Sequence, residues 1–261
     1  MTLIDTHAHL YLSEFDADIA EVLERASAAG VEKIFLPAID AETHQRLKDL
    51  CQLHCTPLLY PMMGLHPCSV KENFEEELDI ALQYLNDGTK YYAVGEIGLD
   101  FYWDTSHKAQ QYEVFERQIQ WAIEKRLPIV IHSRQSTQEC IEVVQKYKGR
   151  VEGIFHCFGG TLTEAKAIID LGLYLGIGGV ATYKNGGLKE ILPSIDLSHI
   201  VLETDAPYLS PVPYRGKRNE SAYIKQVCEM VATIKGISYE EVARVTSANA
   251  NEVFGISEKR F

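Results

Sequence analysis

What this chain of 261 residues lacks narrows its identity first. Every apolar run is broken within a few residues by a charge, Gly or Pro, far short of the ~20 residues that a membrane-crossing helix needs. The opening ten residues carry an aspartate and two histidines but no basic stretch, so they do not read as a signal peptide, and a cytoplasmic location is expected. The six cysteines, Cys51, Cys55, Cys68, Cys140, Cys157 and Cys228, include no C-x-x-C pair, and in a reducing compartment they read as buried small hydrophobes or surface thiols. His54 between Cys51 and Cys55 suggests a metal cluster, but the helical pattern around it favours a core reading. Basic residues are scarce: 25 Lys and Arg against 37 Asp and Glu leave a net charge of -12. That balance excludes broad wrapping of a polyanion and leaves only local contact with nucleic acid. No Pro/Gly/Ser-rich linker or composition break divides the chain, so residues 1–261 are expected to form a single domain.

What is present is a repeating unit. Short apolar runs occur at Leu3–Ile4, Lys33–Ile39, Leu58–Gly64, Tyr91–Ile97, Pro128–Ile131, Gly153–Phe155, Leu173–Ile177 and Ile200–Leu202, each ending in a polar cluster and followed by a helical pattern. Ile19, Val22, Leu23 and Ala26 keep helical spacing, as do Phe115, Ile119, Ala122 and Ile123. Thr161–Glu164 and Ser238–Glu241 have the form of a capping box, and Gly30 and Gly236 stand where a helix should stop. Strands alternating with single helices imply parallel pairing and right-handed crossovers. With no Gly-rich phosphate turn after the first strand, eight such units predict an α/β fold of the (β/α)8 TIM-barrel class rather than an open doubly wound sheet. Two further helical patterns in Ser221–Phe254 are expected to pack outside the barrel.

The polar clusters carry the chemistry. In Asp5-Thr6-His7-Ala8-His9 the alternation of an extended strand points both histidines the same way. His66 follows strand three, Glu96 ends strand four, His132 strand five, His156 strand six and Asp205 strand eight. Each has an innocent reading alone, as a hydrogen-bonded histidine or a helix cap. Independent caps have no reason to fall together on the C-terminal rim of a parallel barrel, where barrel enzymes keep their active sites. His44, His54, His107 and His199 fall in helices or connections and are read as structural or surface residues.

In order along the chain, His-x-His, Gly-Leu-His-Pro (64–67), Gly-Glu-Ile-Gly-Leu-Asp (95–100), Ile-His-Ser-Arg (131–134), His-Cys-Phe (156–158), Glu-Thr-Asp-Ala-Pro (203–207) and Arg-Gly-Lys-Arg-Asn-Glu (215–220) resemble the TatD family of metal-dependent deoxyribonucleases. The resemblance implies one metal held by His7, His9 and Asp205, a second held by His132 and His156, and Glu96 bridging them, with His66 near the substrate. Two positions depart from the family pattern. Ser221 stands where proline often follows the basic run, leaving the next helix start less fixed, and Gly178 stands where relatives often carry serine, which bears on substrate preference.

Mixed imidazole and carboxylate ligation suits Zn, Mn, Co, Ni or Fe, and Mg, which prefers sites richer in oxygen, completes the range of divalent ions expected. Glu96 or Asp205 could hold a water or shuttle its proton. Glu203, two residues before Asp205, is expected to orient a ligand or a water from one layer deeper. Positive charge for phosphate would come from Arg134, Arg215, Lys217, Arg218 and Lys184, and Tyr102 or Trp103 could stack on a base. The expected activity is phosphodiester hydrolysis at a DNA strand end or frayed single strand, most naturally from the 3′ side, with no membrane and no protein partner. An amidohydrolase-type enzyme opening a C–N or ester bond is the alternative; it predicts a carbamylated lysine or another carboxylate at strand four. A non-catalytic metal protein is disfavoured because a structural site closes at four ligands.

Overall fold

In the computed structural model, which describes residues 2–53 and 55–256, the apolar runs become strands. The order is β1 (Leu3–Asp5), α1 (Ile19–Ala28), β2 (Val31–Leu36), α2 (Ala41–Cys51), β3 (Leu58–Pro61), α3 (Phe74–Leu85), β4 (Val94–Asp100), α4 (Lys108–Lys125), β5 (Ile129–Arg134), α5 (Thr137–Gln145), β6 (Gly153–Phe155), α6 (Leu162–Asp170), β7 (Leu173–Ile177), α7 (Leu188–Ile191), β8 (Ile200–Leu202), α8 (Ile224–Lys235) and α9 (Tyr239–Val253). The apolar spacing is the cause: Val22, Leu23 and Ala26 of α1 and Phe115, Ile119 and Ala122 of α4 are buried against the strands. At α6 the capping box closes in both directions, Glu164 N–H to Thr161 Oγ1 at 3.2 Å and Thr161 N–H to Glu164 Oε2 at 2.6 Å. At α9 it closes in one, because the Glu241 carboxylate pairs with Arg244 instead. No helix among the described residues is long and apolar enough to cross a membrane. His54 lies outside the described residues; Cys51 ends α2 and its thiol is free.

All strands run parallel, in two ladders ordered β1-β2-β3 and β4-β5-β6-β7-β8. Backbone bonds join the ladders at both seams. Between β3 and β4, Tyr92 N–H reaches Pro61 O (3.0 Å) and Gly95 N–H reaches Met63 O (3.0 Å). Between β8 and β1, Thr6 N–H reaches Leu202 O (3.1 Å), Asp205 N–H reaches His7 O (2.9 Å) and His9 N–H reaches Ala206 O (2.7 Å). With both edges paired, the eight strands form the TIM barrel. The second seam also corrects the opening stretch: β1 ends at Asp5, and His7 and His9 lie beyond it, in a segment pinned to the end of β8.

Inside the ring, Ile4, Phe35, Met62, Ala93, Val130, Ile154 and Val201 meet in one buried cluster. Its floor is closed by Ala250 and Val253 of α9 and by Phe254, whose ring stacks on Phe35 with centroids 3.7 Å apart. The C-terminal helices thus divide: α8 packs outside, while the end of α9 plugs the barrel. An apolar barrel floor left open would face water, and covering each large side chain there contributes roughly 1.5–3 kcal/mol. Ser221, the first departure from the family pattern, is fully buried at the start of a one-turn helix leading into α8, so the helix start it precedes is held by packing.

Candidate metal centre

Strand alternation builds the site directly on that floor. His132 lies two residues beyond Val130, His156 two beyond Ile154 and Glu203 two beyond Val201, so each projects inward one layer higher. Glu96 lies within β4 rather than at its end, and β4 and β5 both run three residues further than the apolar pattern implies. Close packing at this level requires glycine twice. Gly98 has φ +142°, and a Cβ there would overlap the His132 carbonyl; a Cβ on Gly176 would overlap the Glu203 carboxylate. Gly178 has no such need, since a Cβ there would make ordinary contact with Glu203 at 3.5 Å.

Glu96 is the hub. Its Oε2 lies 3.0 Å from His7 Nε2 and 3.4 Å from His9 Nε2, and its Oε1 lies 2.8 Å from His132 Nδ1, 2.9 Å from His156 Nε2 and 3.3 Å from His66 Nε2. Asp205 Oδ1 is 3.8 Å from His7 Nε2 and 3.7 Å from His9 Nε2. Three sets of side chains offer atoms close enough to share an ion: His7, His9 and Asp205; His7, Glu96 and His156; His66, Glu96 and His132. Burial alone would raise the Glu96 pKa, but His156, His66 and His7 around it and the His132 hydrogen bond hold it well below the usual carboxylate range. Asp205 is pushed up to about 6 by burial, which the histidines His156 and His9 only partly offset.

The outer hydrogen bonds decide which ring nitrogens present a lone pair. Tyr11 spends its hydroxyl proton on Pro37 O (2.6 Å), so at 3.1 Å it accepts from His9 Nδ1, and His9 Nε2 is bare. Asp100 Oδ2 accepts from His132 Nε2 at 2.9 Å, so in the neutral ring the lone pair is on Nδ1, 2.8 Å from Glu96 Oε1. His66 is the opposite case. Its Nδ1 accepts the Cys68 N–H at 3.0 Å, so the neutral ring carries its proton on Nε2 and presents a donor to the centre. In the neutral rings His9 Nε2 and His132 Nδ1 each turn a lone pair toward a Glu96 oxygen, the donor set that a divalent cation between them would satisfy. Burial lowers the His132 pKa, but the Asp100 and Glu96 carboxylates raise it on balance, and a proton on His132 can take that place toward Glu96. His7 Nδ1, His156 Nδ1 and Glu203 Oε2 are buried without a hydrogen-bond partner. Glu203 Oε1 takes the Cys157 N–H at 2.6 Å and lies 3.4 Å from His156 Nδ1, so Glu203 lies behind that ring.

The sequence reading missed Asp100 and Tyr11. Both were within reach of the alternation that linked His7 to His9, which also carries His9 to Tyr11 and Glu96 through Gly98 to Asp100. Among the predicted phosphate contacts, Arg134 is exposed at the end of β5 and Lys217 makes no ion pair among the described residues. Arg218 has its guanidinium held by both Asp18 oxygens at 2.7 Å and by Glu14 O at 2.6 Å, and it caps the Phe15 ring, so it fastens the loop to the α1 region. Arg215 packs on Tyr183, 3.9 Å from the ring centroid. His44 Nε2 lies 3.3 Å from Gly64 O, and His107 faces Glu72, both away from the centre.

Comparison with known proteins gives the chain's family and fold. Residues 4–255 match the family model described as TatD related DNase. The uncharacterized metal-dependent hydrolase YabD of Bacillus subtilis is 39% identical over 257 residues, covering 98% of this chain and 100% of that protein. A Citrobacter rodentium protein named 3'-5' ssDNA/RNA exonuclease TatD is 32% identical over 265 residues, covering 98% and 99%. The crystal structure of YjjV, a TatD homologue from Escherichia coli, superposes with a TM-score of 0.88 at 29% identity and covers 98% of each chain. More distant barrels, including a dihydroorotase at 12% identity and TM-score 0.64, share the fold. The chain belongs to the TatD-related DNase family of metal-dependent hydrolases.

Proposed function

We propose that this chain is a two-ion phosphodiesterase that removes nucleotides from the 3′ ends of single-stranded or frayed DNA. One observation carries the reading: the two oxygens of Glu96 face separate sets of imidazole nitrogens, so that one carboxylate could serve ions on both sides. In this reading His7, His9 and Asp205 would hold one ion and His132 and His156 the other, with the ions drawn from Zn, Mg, Mn, Co and Ni. Divalent ions bound there supply Lewis-acid polarisation of the phosphoryl group and lower the pKa of the attacking water.

The chain's own residues do the rest. Asp205 has a side chain 13% exposed against 2% for Glu96, so it is the carboxylate that reaches the mouth and takes the proton of the attacking water. Glu96, enclosed by histidines, stays ionised and holds the two halves of the site in register. His66 donates its Nε2–H to a phosphoryl oxygen, and the Cys68 bond keeps that proton in place. Lys217 and Arg134 meet flanking phosphates. The name of the Citrobacter relative supports the choice of substrate and polarity.

The test is to strip the protein of metal, refill it with Mg, Mn or Zn, and offer 3′- and 5′-labelled single-stranded DNA beside a panel of amides and lactones. Stepwise release of nucleotides from the 3′ label is the expected result. Hydrolysis confined to the amides and lactones would contradict it and favour the amidohydrolase-type reading.

A further inference from the structure

Five of the eight large hydrophobic residues exposed among the described residues stand around the mouth, on the loops after β4 (Tyr102, Trp103) and β8 (Tyr208, Leu209, Val212). β4 and β8 are diametrically opposed in the ring, so these side chains form two banks with the candidate metal centre between them. Apolar surface gathered on the rim of a polar site marks a place where something binds.

The β4 bank is built as one piece. Tyr102 and Trp103 meet edge to face, with centroids 4.9 Å apart and planes at 84°. The Arg134 guanidinium lies 3.9 Å from the Tyr102 ring centroid and 5.2 Å from that of Trp103, and pairs with no carboxylate among the described residues. Trp103 is 67% exposed and Tyr102 48%, so neither ring is there to fill the core. Both backbone N–H groups donate to Asp100 Oδ1, at 2.9 Å from Tyr102 and 3.0 Å from Trp103. The other oxygen of that same buried carboxylate orients His132. One side chain therefore fixes a candidate metal ligand and the aromatic pair together, and the rings keep a set place relative to the centre.

Resting on the phosphodiesterase reading above, we propose that Tyr102 and Trp103 form a base-stacking platform for an unpaired nucleobase next to the scissile phosphate, with Arg134 neutralising the adjoining phosphate. An aromatic face accepts any base, which fits cleavage with little sequence preference. A stacked base must first be unpaired, which restricts the substrate to strand ends and single strands. The cation beside the rings separates this substrate from a merely apolar ligand.

The platform is tested by comparing Trp103→Ala and Trp103→Phe with the wild-type holoenzyme on a single-stranded oligonucleotide and on the same oligonucleotide with abasic terminal residues. Trp103→Ala is expected to raise KM roughly tenfold on the base-bearing strand, the loss of one base–aromatic stack, with kcat within about twofold; Trp103→Phe recovers most of it. On the abasic strand the wild type and Trp103→Ala converge. An unchanged KM, or an equal rise on both strands, overturns the platform. Because the chain has two tryptophans, a Trp121→Phe variant leaves Trp103 as the reporter. Saturable quenching of its fluorescence by a cleavage-resistant phosphorothioate oligo(dT) supports the platform even where DNA is not cut, so the nuclease reading can fail separately; no quenching overturns the platform.

Discussion

Two residues along a strand separate the floor of this barrel from its mouth: Val130 from His132, Ile154 from His156, Val201 from Glu203. Below that step the inward side chains are apolar and buried, down to Phe254 stacked on Phe35, with the half-buried rings of Tyr60, Tyr92 and Tyr174 packed around them. Above it, imidazole nitrogens and carboxylate oxygens converge, and three buried polar atoms have no partner. The floor contributes stability through burial, whereas the mouth gathers buried carboxylates and imidazoles, and a cation bound among them would add its binding free energy to the stability of the fold. The difference teaches that one backbone can keep its stability and its chemistry in adjacent layers, and that the two should respond to mutation separately.

The sharpest challenge to that separation is Glu96→Gln. Turnover on DNA should fall by about 10³-fold or more while the urea midpoint of metal-free protein holds or rises; a joint collapse of both would mean that the layers are not independent. Phe254→Ala should do the reverse, with a loss of about 3–5 kcal/mol in unfolding free energy, measured by denaturant titration, and kcat preserved in the folded fraction. Asp100→Asn removes the acceptor that orients His132 and should lower metal affinity or turnover by about 10–100-fold, read by competition with a chelator and by kinetics. Lys217→Ala should weaken DNA binding uniformly across sequences and reduce the salt slope by about one.

Arg218→Ala should leave that slope unchanged, because its guanidinium is committed to Asp18, and show only a small loss of stability. The sign of its pH dependence is fixed. Hydrogen bonding to Arg218 holds the Asp18 pKa down, with Arg25 assisting, so the contribution is present above the unfolded value of about 3.9 and disappears as pH falls through the depressed folded value. Denaturation of the two proteins at neutral and strongly acid pH should therefore show a gap that closes in acid.

The barrel was legible in the sequence because strand and helix periods alternate without interruption, and the candidate centre because its residues sit at strand ends that a parallel barrel brings to one face. Alternation named His7 with His9 but was not carried on to Tyr11 or from Glu96 to Asp100, the residues that set the tautomers of His9 and His132. Other features had no local signal. The charge of Arg218 looks the same in sequence whether it meets phosphate or Asp18, 200 residues away. Phe254 follows the helical face of α9, yet its partner Phe35 lies in β2, so nothing nearby distinguishes a plug from an outer helix. The Cys68 backbone N–H bond that leaves the neutral His66 ring a donor toward the centre is invisible before the fold is known.

The most direct test of the two-ion mouth is the metal content of wild type and Glu96→Gln after reconstitution with Mn or Zn, measured by mass spectrometry on desalted protein with circular dichroism confirming the fold. The proposal predicts two ions per chain in the wild type and loss of at least one in Glu96→Gln with the barrel intact. A single ion in the wild type, or the same content in both proteins, would contradict it.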